Sequence, residues 1–315
     1  MRVLMTGATG FVGTALMQAL SGNGRYKTIA ALRRSVENLP PGVQAAHVGD
    51  FTGDTDWTAA LEDVAVIIHA AARAHIMRDT ASDPLAEFRR INVDATLNLA
   101  RQAAEAGVTR FIYLSSVKVN GEQTFSGQPF TEQDTAAPQD PYGISKHEAE
   151  VGLRQLSTET GMEIVIVRPP LVYGPSVKGN FRSMMRWINK GIPLPLGAIH
   201  NQRSLIALDN LVDFIVTCID HPAAANQTFL VADGEDLSTT ELLRRVGQAM
   251  GKPARLIPVP MSVLKFGARL IGKQAMAQRL CGNLQVDISR AREVLEWNPP
   301  VSVDDGLRRA VRADG

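Results

Sequence analysis

At 315 residues the chain is about twice the ~150-residue size of a common domain, so either one large α/β unit or a nucleotide domain with a smaller partner is expected. With 45% hydrophobic and 21% charged residues and a net charge of +1, it has no room for a long disordered arm and lacks the overall basic surplus of a nucleic-acid binder. Its two cysteines, Cys218 and Cys281, form no CxxC or Cys/His cluster, no apolar run reaches the ~18 residues of a membrane span, and Gly7 comes too early for a signal peptide, so a metal-free cytoplasmic protein without membrane insertion is expected.

Short β-branched runs alternate with longer helical patterns through the first half, the signature of βαβ units feeding a parallel sheet. A strand predicted over residues 3–5 leads into Thr6-Gly7-Ala8-Thr9-Gly10-Phe11-Val12-Gly13 and a helix over 12–20. Gly7 suits a tight turn, Gly10 lets backbone N–H groups approach a pyrophosphate, and Gly13 lets helix and strand pack closely, with the helix N-terminus favouring the anion. The next strand, 28–32, ends in Leu32-Arg33-Arg34, where an acid would hold the ribose 2′-hydroxyl of NAD. Arg33, with or without Arg34, is instead suited to a 2′-phosphate and favours NADP(H); solvated loop arginines are the alternative. In Gly49-Asp50-Phe51, Asp50 and Phe51 either contact adenine or form a plain turn.

A short helical stretch over 59–61 precedes a strand over 64–69, and a long helix is predicted over 85–106, with Ile91, Ala95, Leu99 and Ala103 facing the sheet and Gly107 ending it. The strand at 110–115 runs into Ser115-Ser116 and Val117-Lys118-Val119-Asn120-Gly121, placing a serine at the carboxyl edge of the sheet, where sites in such folds open. Pro141-Tyr142-Gly143-Ile144-Ser145-Lys146 follows, with a helix over 145–160. If that helix begins early, Tyr142 and Lys146 share one face, and the ammonium can favour the phenolate of a residue whose unperturbed pKa is near ~10. Tyr142 then moves the proton of an alcohol, Ser116 hydrogen-bonds the oxyanion, Lys146 assists, and a hydride passes to or from a nicotinamide. After the strand at 163–168, Pro169-Pro170, Gly174-Pro175 and Pro193-Leu194-Pro195 mark a change of architecture. Residues 1–173, with 204–220, are expected to bind the dinucleotide, and 174–315 mainly the substrate. Further helices are predicted over 209–220 and 238–250.

Taken together, these motifs resemble the extended short-chain dehydrogenase/reductases of the NAD-dependent epimerase/dehydratase family, in its nucleotide-sugar 4-epimerase and 4-reductase group, over nearly the whole chain. The resemblance is carried by the glycine loop, Ile68-His69-Ala70-Ala71-Ala72, Ile91-Asn92-Val93, Leu114-Ser115-Ser116, the Tyr142/Lys146 motif and Arg168-Pro169-Pro170-Leu171-Val172-Tyr173-Gly174-Pro175. It implies an α/β Rossmann fold, a doubly wound parallel sheet with a smaller C-terminal substrate-binding domain. It further implies that Ala70, Ala71 and Ala72 line the cofactor, with Ser115 and Pro169 beside it, and that Asn92 fixes the central helix near the site. Asn180 and Arg203 match positions that hold a nucleoside diphosphate, and Arg279 a looser second contact; Lys118 either touches substrate or points to solvent. The expected partner is a nucleotide sugar, UDP-linked, and the expected assembly a homodimer through 85–106 and 145–160. The expected reaction is reduction of a UDP-4-keto-6-deoxy-hexose(amine) in surface-polysaccharide synthesis. A UDP-hexose 4-epimerase with bound NAD (acting on glucose or N-acetylglucosamine) and a non-catalytic nucleotide sensor are the alternatives, the cofactor being NADP(H) or NAD(H) accordingly.

Overall fold

Residues 1–312, apart from 23, 37, 75–82, 178, 271 and 273, are described in a computed structural model of the chain. In order, the first elements are β1 (Arg2–Thr6), α1 (Phe11–Gly22), β2 (Lys27–Leu32), β3 (Gln44–His47), β4 (Val66–His69), α2 (Pro84–Arg89) and α3 (Ala95–Glu105). Then come β5 (Arg110–Leu114), α4 (Pro141–Thr160), β6 (Glu163–Arg168), β7 (Leu171–Tyr173), α5 (Asn180–Asn189), β8 (Leu205–Ala207), α6 (Leu208–Asp220) and β9 (Thr228–Leu230). The chain finishes with α7 (Thr239–Ala249), α8 (Met261–Leu270), α9 (Gln274–Cys281), α10 (Ser289–Leu295) and α11 (Val303–Arg312).

Seven strands pair in parallel in the order β3-β2-β1-β4-β5-β6-β9, while β7 and β8 form a separate parallel pair. The strands at the centre are apolar on both faces because both faces are covered. One face carries a core of Leu16, Leu20, Leu211, Phe214 and Trp297; the other is packed by Leu99, Ala103, Ala149 and Leu153 of α3 and α4. A third core, around Tyr173, Phe181, Leu243 and Leu307, joins the β7/β8 pair to α5, α7 and α11, and Phe11 packs against both it and the first. The strand order reverses between β1 and β4, so the carboxyl ends of these strands flank the switch-point crevice where α/β sheets bind ligands.

Several expectations are corrected in detail. The helix predicted over 85–106 is interrupted by one wider π turn, Arg90–Asp94, between α2 and α3. The helix predicted from 145 begins at Pro141, because Asp140 caps it by accepting from Gly143 N–H at 2.7 Å. Residues 59–61 form only a single 3-10 turn, Thr58–Ala60, and the strand predicted from 64 starts at Val66. β3, an alanine-centred edge strand with little β propensity, and the three-residue β9 gave no clear signal. β9 completes the seven-stranded sheet late in the chain, and Ala291, Leu295 and Trp297 pack in the core on one of its faces.

Candidate active site

The glycine loop is built by contact. Gly7 has φ +71°, and a Cβ there would lie 2.6 Å from both Ala70 C and Ala71 N, so the segment after β4 passes directly over the turn out of β1. A Cβ on Gly13 would meet Gly7 O at 2.0 Å, which leaves glycine as the residue that fits at the start of α1. Gly10 closes the turn by donating its N–H to Gly7 O at 2.9 Å. The amides of Phe11 and Val12 open α1 without intrahelical acceptors, and no acidic side chain occupies that first turn. With Thr9 and Gly10 exposed beside it, this helix end fits the pyrophosphate of a dinucleotide. His69 braces the crossing segment: its Nδ1 is 2.7 Å from the Thr6 hydroxyl, which also accepts from Ala71 N–H at 3.2 Å, and its Nε2 is 2.9 Å from the Thr96 hydroxyl. Burial, and secondarily Lys146, pulls the pKa of His69 down to about 3, so the ring is neutral.

Arg33 and Arg34 are exposed at the end of β2, where Arg33 has no hydrogen bond or ion pair among the described residues. Asp50 is also exposed, its carbonyl accepting from the Thr55 hydroxyl at 2.7 Å, while Phe51 packs edge-on against Trp57 with ring centres 5.0 Å apart.

Ser116, Tyr142 and Lys146 converge at the carboxyl edge of β5. The Ser116 hydroxyl lies near enough to the half-buried Tyr142 phenol to favour its ionised form, and accepts from Lys118 N–H at 3.2 Å. Lys146 is almost fully buried; its Nζ donates to Leu114 O at 2.7 Å, lies 4.4 Å from the centre of the Tyr113 ring and 6.0 Å from that of Tyr142. Burial pushes the phenol of Tyr142 well above its ordinary value, Asp140 adds to the rise, and the nearby Ser116 hydroxyl partly offsets it. Burial brings Lys146 down to about 7, against an opposing pull from Glu150. In the chain by itself, burial dominates the protonation of Tyr142.

A buried network holds these groups. Ser115 donates to Glu150 Oε1 at 2.6 Å, and Arg168 grips the same carboxylate through Nε at 2.9 Å and Nη2 at 2.5 Å, while its Nη1 reaches Asn120 Oδ1 at 3.0 Å. Burial alone would raise the Glu150 carboxyl, but the Arg168 bonds hold it below the usual range. Asn92, in the π turn, accepts from Arg73 N–H at 2.8 Å and donates to the Ser145 hydroxyl at 3.0 Å, which itself donates to Tyr142 O at 2.8 Å. Pro169 O accepts from Val117 N–H at 3.0 Å and anchors the turn that carries Ser116.

On the substrate side, Lys118 pairs with Asp140 and, at 3.1 Å, with Glu122. Arg203 donates through Nη1 to Arg279 O at 2.9 Å and Gly282 O at 3.1 Å, the carbonyls ending α9. Burial lowers its pKa, and the exposed Arg279 adds to that effect, while Glu122 opposes it. Asn180 is the first residue of α5, but its side chain lies outside the described residues.

The model of the NAD dependent epimerase/dehydratase family matches residues 3–232. The chain belongs to that family. It is 49% identical over 312 residues to a UDP-glucose 4-epimerase of Vibrio cholerae, covering 99% of this chain and 94% of the relative. Among solved structures it is similar to a UDP-glucuronic acid 4-epimerase from Bacillus cereus in complex with NAD (TM-score 0.80, 22% identity, 99% and 96% of the two chains covered). It is likewise similar to a UDP-glucose 4-epimerase from Thermotoga maritima with UDP-glucose (TM-score 0.79, 22% identity, 100% and 98% covered).

Membership in the NAD-dependent epimerase/dehydratase family makes the chain an enzyme and places its dinucleotide on the NAD side of the NADP(H)-or-NAD(H) expectation. The structure brings together Gly7, Gly13, Ala70 and Ala71 at one end of the crevice and Ser116, Tyr142 and Lys146 at the other. It does not leave Ser115 or Lys118 free: the first is spent on Glu150 and the second on two acids. Glu150, Arg168, Asn120 and the His69–Thr96 pair were missed as a network, since partners separated by 18 to 48 positions carry no local pattern.

Proposed function

We propose that this chain is a UDP-hexose 4-epimerase that keeps NAD bound through the catalytic cycle. The observation that carries the proposal is the 49% likeness to a UDP-glucose 4-epimerase along nearly the whole chain, joined to the complete Ser116–Tyr142–Lys146 set. Bound NAD supplies the acceptor that takes a hydride from C4 of the sugar and gives it back. Tyr142 takes the proton from the C4 hydroxyl, and Ser116 donates to the oxygen as the carbonyl forms. In the second half Tyr142 returns the proton to the ketone oxygen. Its raised pKa suits that return, since the phenol is built to hold a proton. Lys146 opposes the bias during oxidation, when the phenol must be a base. Epimerisation also requires the 4-keto sugar to present its other face while it stays bound. Arg203, with Arg279 beside it, supports a grip on the diphosphate during that turn, because a guanidinium can hold two phosphate oxygens.

Net reduction of a UDP-4-keto sugar is the second reading, and exposed Arg33 is the feature that favours it. The purified protein tested with UDP-glucose and no added cofactor separates the two. Formation of UDP-galactose seen by NMR, with one NAD released per chain on denaturation, is the expected result. Stoichiometric consumption of NADPH, without interconversion, would replace epimerisation by reduction. A Tyr142→Phe variant is expected to lose about a thousandfold in turnover on either reading.

A further inference from the structure

Charge is distributed very unevenly along this nearly neutral chain. Residues 164–208 and 242–286 together contain fourteen Lys and Arg and no Asp or Glu, leaving nineteen basic against thirty-two acidic residues elsewhere. The two stretches meet in space: Leu194 N–H donates to Arg255 O and Ile257 N–H to Leu194 O, both at 2.8 Å, and Lys252 Nζ donates to Asn189 Oδ1 at 2.5 Å. The surface they share is also apolar. Among the described residues it carries six of the eleven exposed large hydrophobic side chains: Trp187, Ile192, Ile257, Val263, Phe266 and Leu270, the last two 64% and 71% exposed.

Helix α8 shows why this is a built surface. None of its residues is buried; Met261 and Leu264 lean on the third core, while Val263, Phe266 and Leu270, three and four apart, form an outward apolar stripe. Lys265 and Arg269 flank the stripe on α8, and Arg186 and Lys190 on α5 and Lys252 and Arg255 on the segment paired with 194–197 are exposed.

We propose that the face formed by α5, the 192–197 and 255–257 segments and α8 docks onto an anionic lipid bilayer. A water-exposed apolar stripe gains by entering the boundary between headgroups and acyl chains, and the surrounding cations gain from acidic headgroups. A second copy of the same face is a poor occupant, because a twofold contact would set cations against cations with no carboxylate between them. No helix among the described residues is long and apolar enough to cross a membrane, so the attachment is superficial and reversible. The face adjoins α9, whose final carbonyls hold Arg203, so docking brings the substrate rim close to the bilayer surface.

The test is co-sedimentation of the full chain with vesicles of phosphatidylcholine alone or with about a third phosphatidylglycerol, in low and high salt. Binding to the anionic vesicles at least about tenfold tighter than to the neutral ones, and weakened by salt, is the expected result. Phe266→Ser/Leu270→Ser and Lys265→Glu/Arg269→Glu should each weaken it by about tenfold. The melting temperature should stay within about 2 °C, and turnover of a soluble nucleotide sugar should be unchanged, because neither pair belongs to the catalytic or binding machinery. Absence of vesicle binding, equal binding to both vesicle types, or binding untouched by both double variants would overturn the proposal. So would a wild-type oligomer that ignores vesicles and dissociates in the Phe266→Ser/Leu270→Ser variant, which would assign the face to a second copy.

Discussion

The ammonium of Lys146 lies between the Leu114 carbonyl and the face of Tyr113, and burial lowers its pKa to about 7 from an ordinary value of 10.5. A depressed lysine is a stability liability with a defined pH window. Above about pH 10.5 the lysine is neutral in the folded and unfolded states alike; as pH falls towards 7, the unfolded chain binds the proton more readily, and stability is lost. Lys146→Met should remove that slope. Urea unfolding at pH 7 and pH 10 should find the variant more stable at the lower pH, by on the order of 2 kcal/mol, although turnover falls at least about a hundredfold. A variant that is no more stable at pH 7 would contradict the burial cost. His69 carries the same sign in a lower window: its depressed value costs stability as pH falls from 6.5 towards 3, where protonation disturbs the two hydroxyl contacts that brace the Ala70–Ala71 crossing. Ser116, Tyr142 and Lys146 were legible as residue types at a telling spacing. Their protonation bias was not, because it comes from desolvation by distant strands, and desolvation has no sequence pattern.

At the level of elements, the π turn Arg90–Asp94 is the least regular piece of backbone near the site and also one of the most useful. Its extra residue turns Asn92 inward to join Arg73 on one side and Ser145 on the other, so the first turn of α4, which presents Tyr142, is tied to a neighbouring helix. Asn92→Ala strands the Arg73 N–H and loosens that turn. The expected cost is about 1–3 kcal/mol of stability together with a drop in kcat, measured by thermal melting and steady-state kinetics; an unchanged kcat would show that the tie does not position Tyr142. The helical period through Ile91, Ala95, Leu99 and Ala103 pointed correctly to a sheet-covering helix, and α3 buries Ala95, Leu99 and Ala103. It could not reveal the wider turn, since one added residue in a helix barely changes an apolar repeat. The start of α4 was missed for a similar reason: the cap is Asp140, outside the periodic stretch, and Pro141 at the first helical position reads equally well as a break.

Across the whole molecule, the order of the strands matters more than their number. The chain leaves the seven-stranded layer after β6, builds much of the third core, and returns with β9 and then with Trp297. Trp297 donates from Nε1 to Asp213 Oδ2 at 2.8 Å and packs edge-on against Phe214 with ring centres 5.0 Å apart. Trp297→Ala should therefore destabilise by about 3–5 kcal/mol, lowering the melting temperature of the molecule in a single calorimetric transition; early loss of the third core alone would show that the two bodies melt separately. No proline or glycine punctuation in the sequence marks that return, because β9 is three residues long and its pairing with β6 spans about sixty positions.

That returning tail sets a timetable for synthesis. When the glycine loop, Tyr142 and Lys146 have all left the ribosome, the sheet still lacks its last strand and one face still lacks its tryptophan. The nascent chain must hold an unfinished apolar layer while well over a hundred further residues are made, at the few to twenty residues per second of translation. This waiting interval, rather than the chemistry of the finished site, is where a holding chaperone has the most to offer the protein.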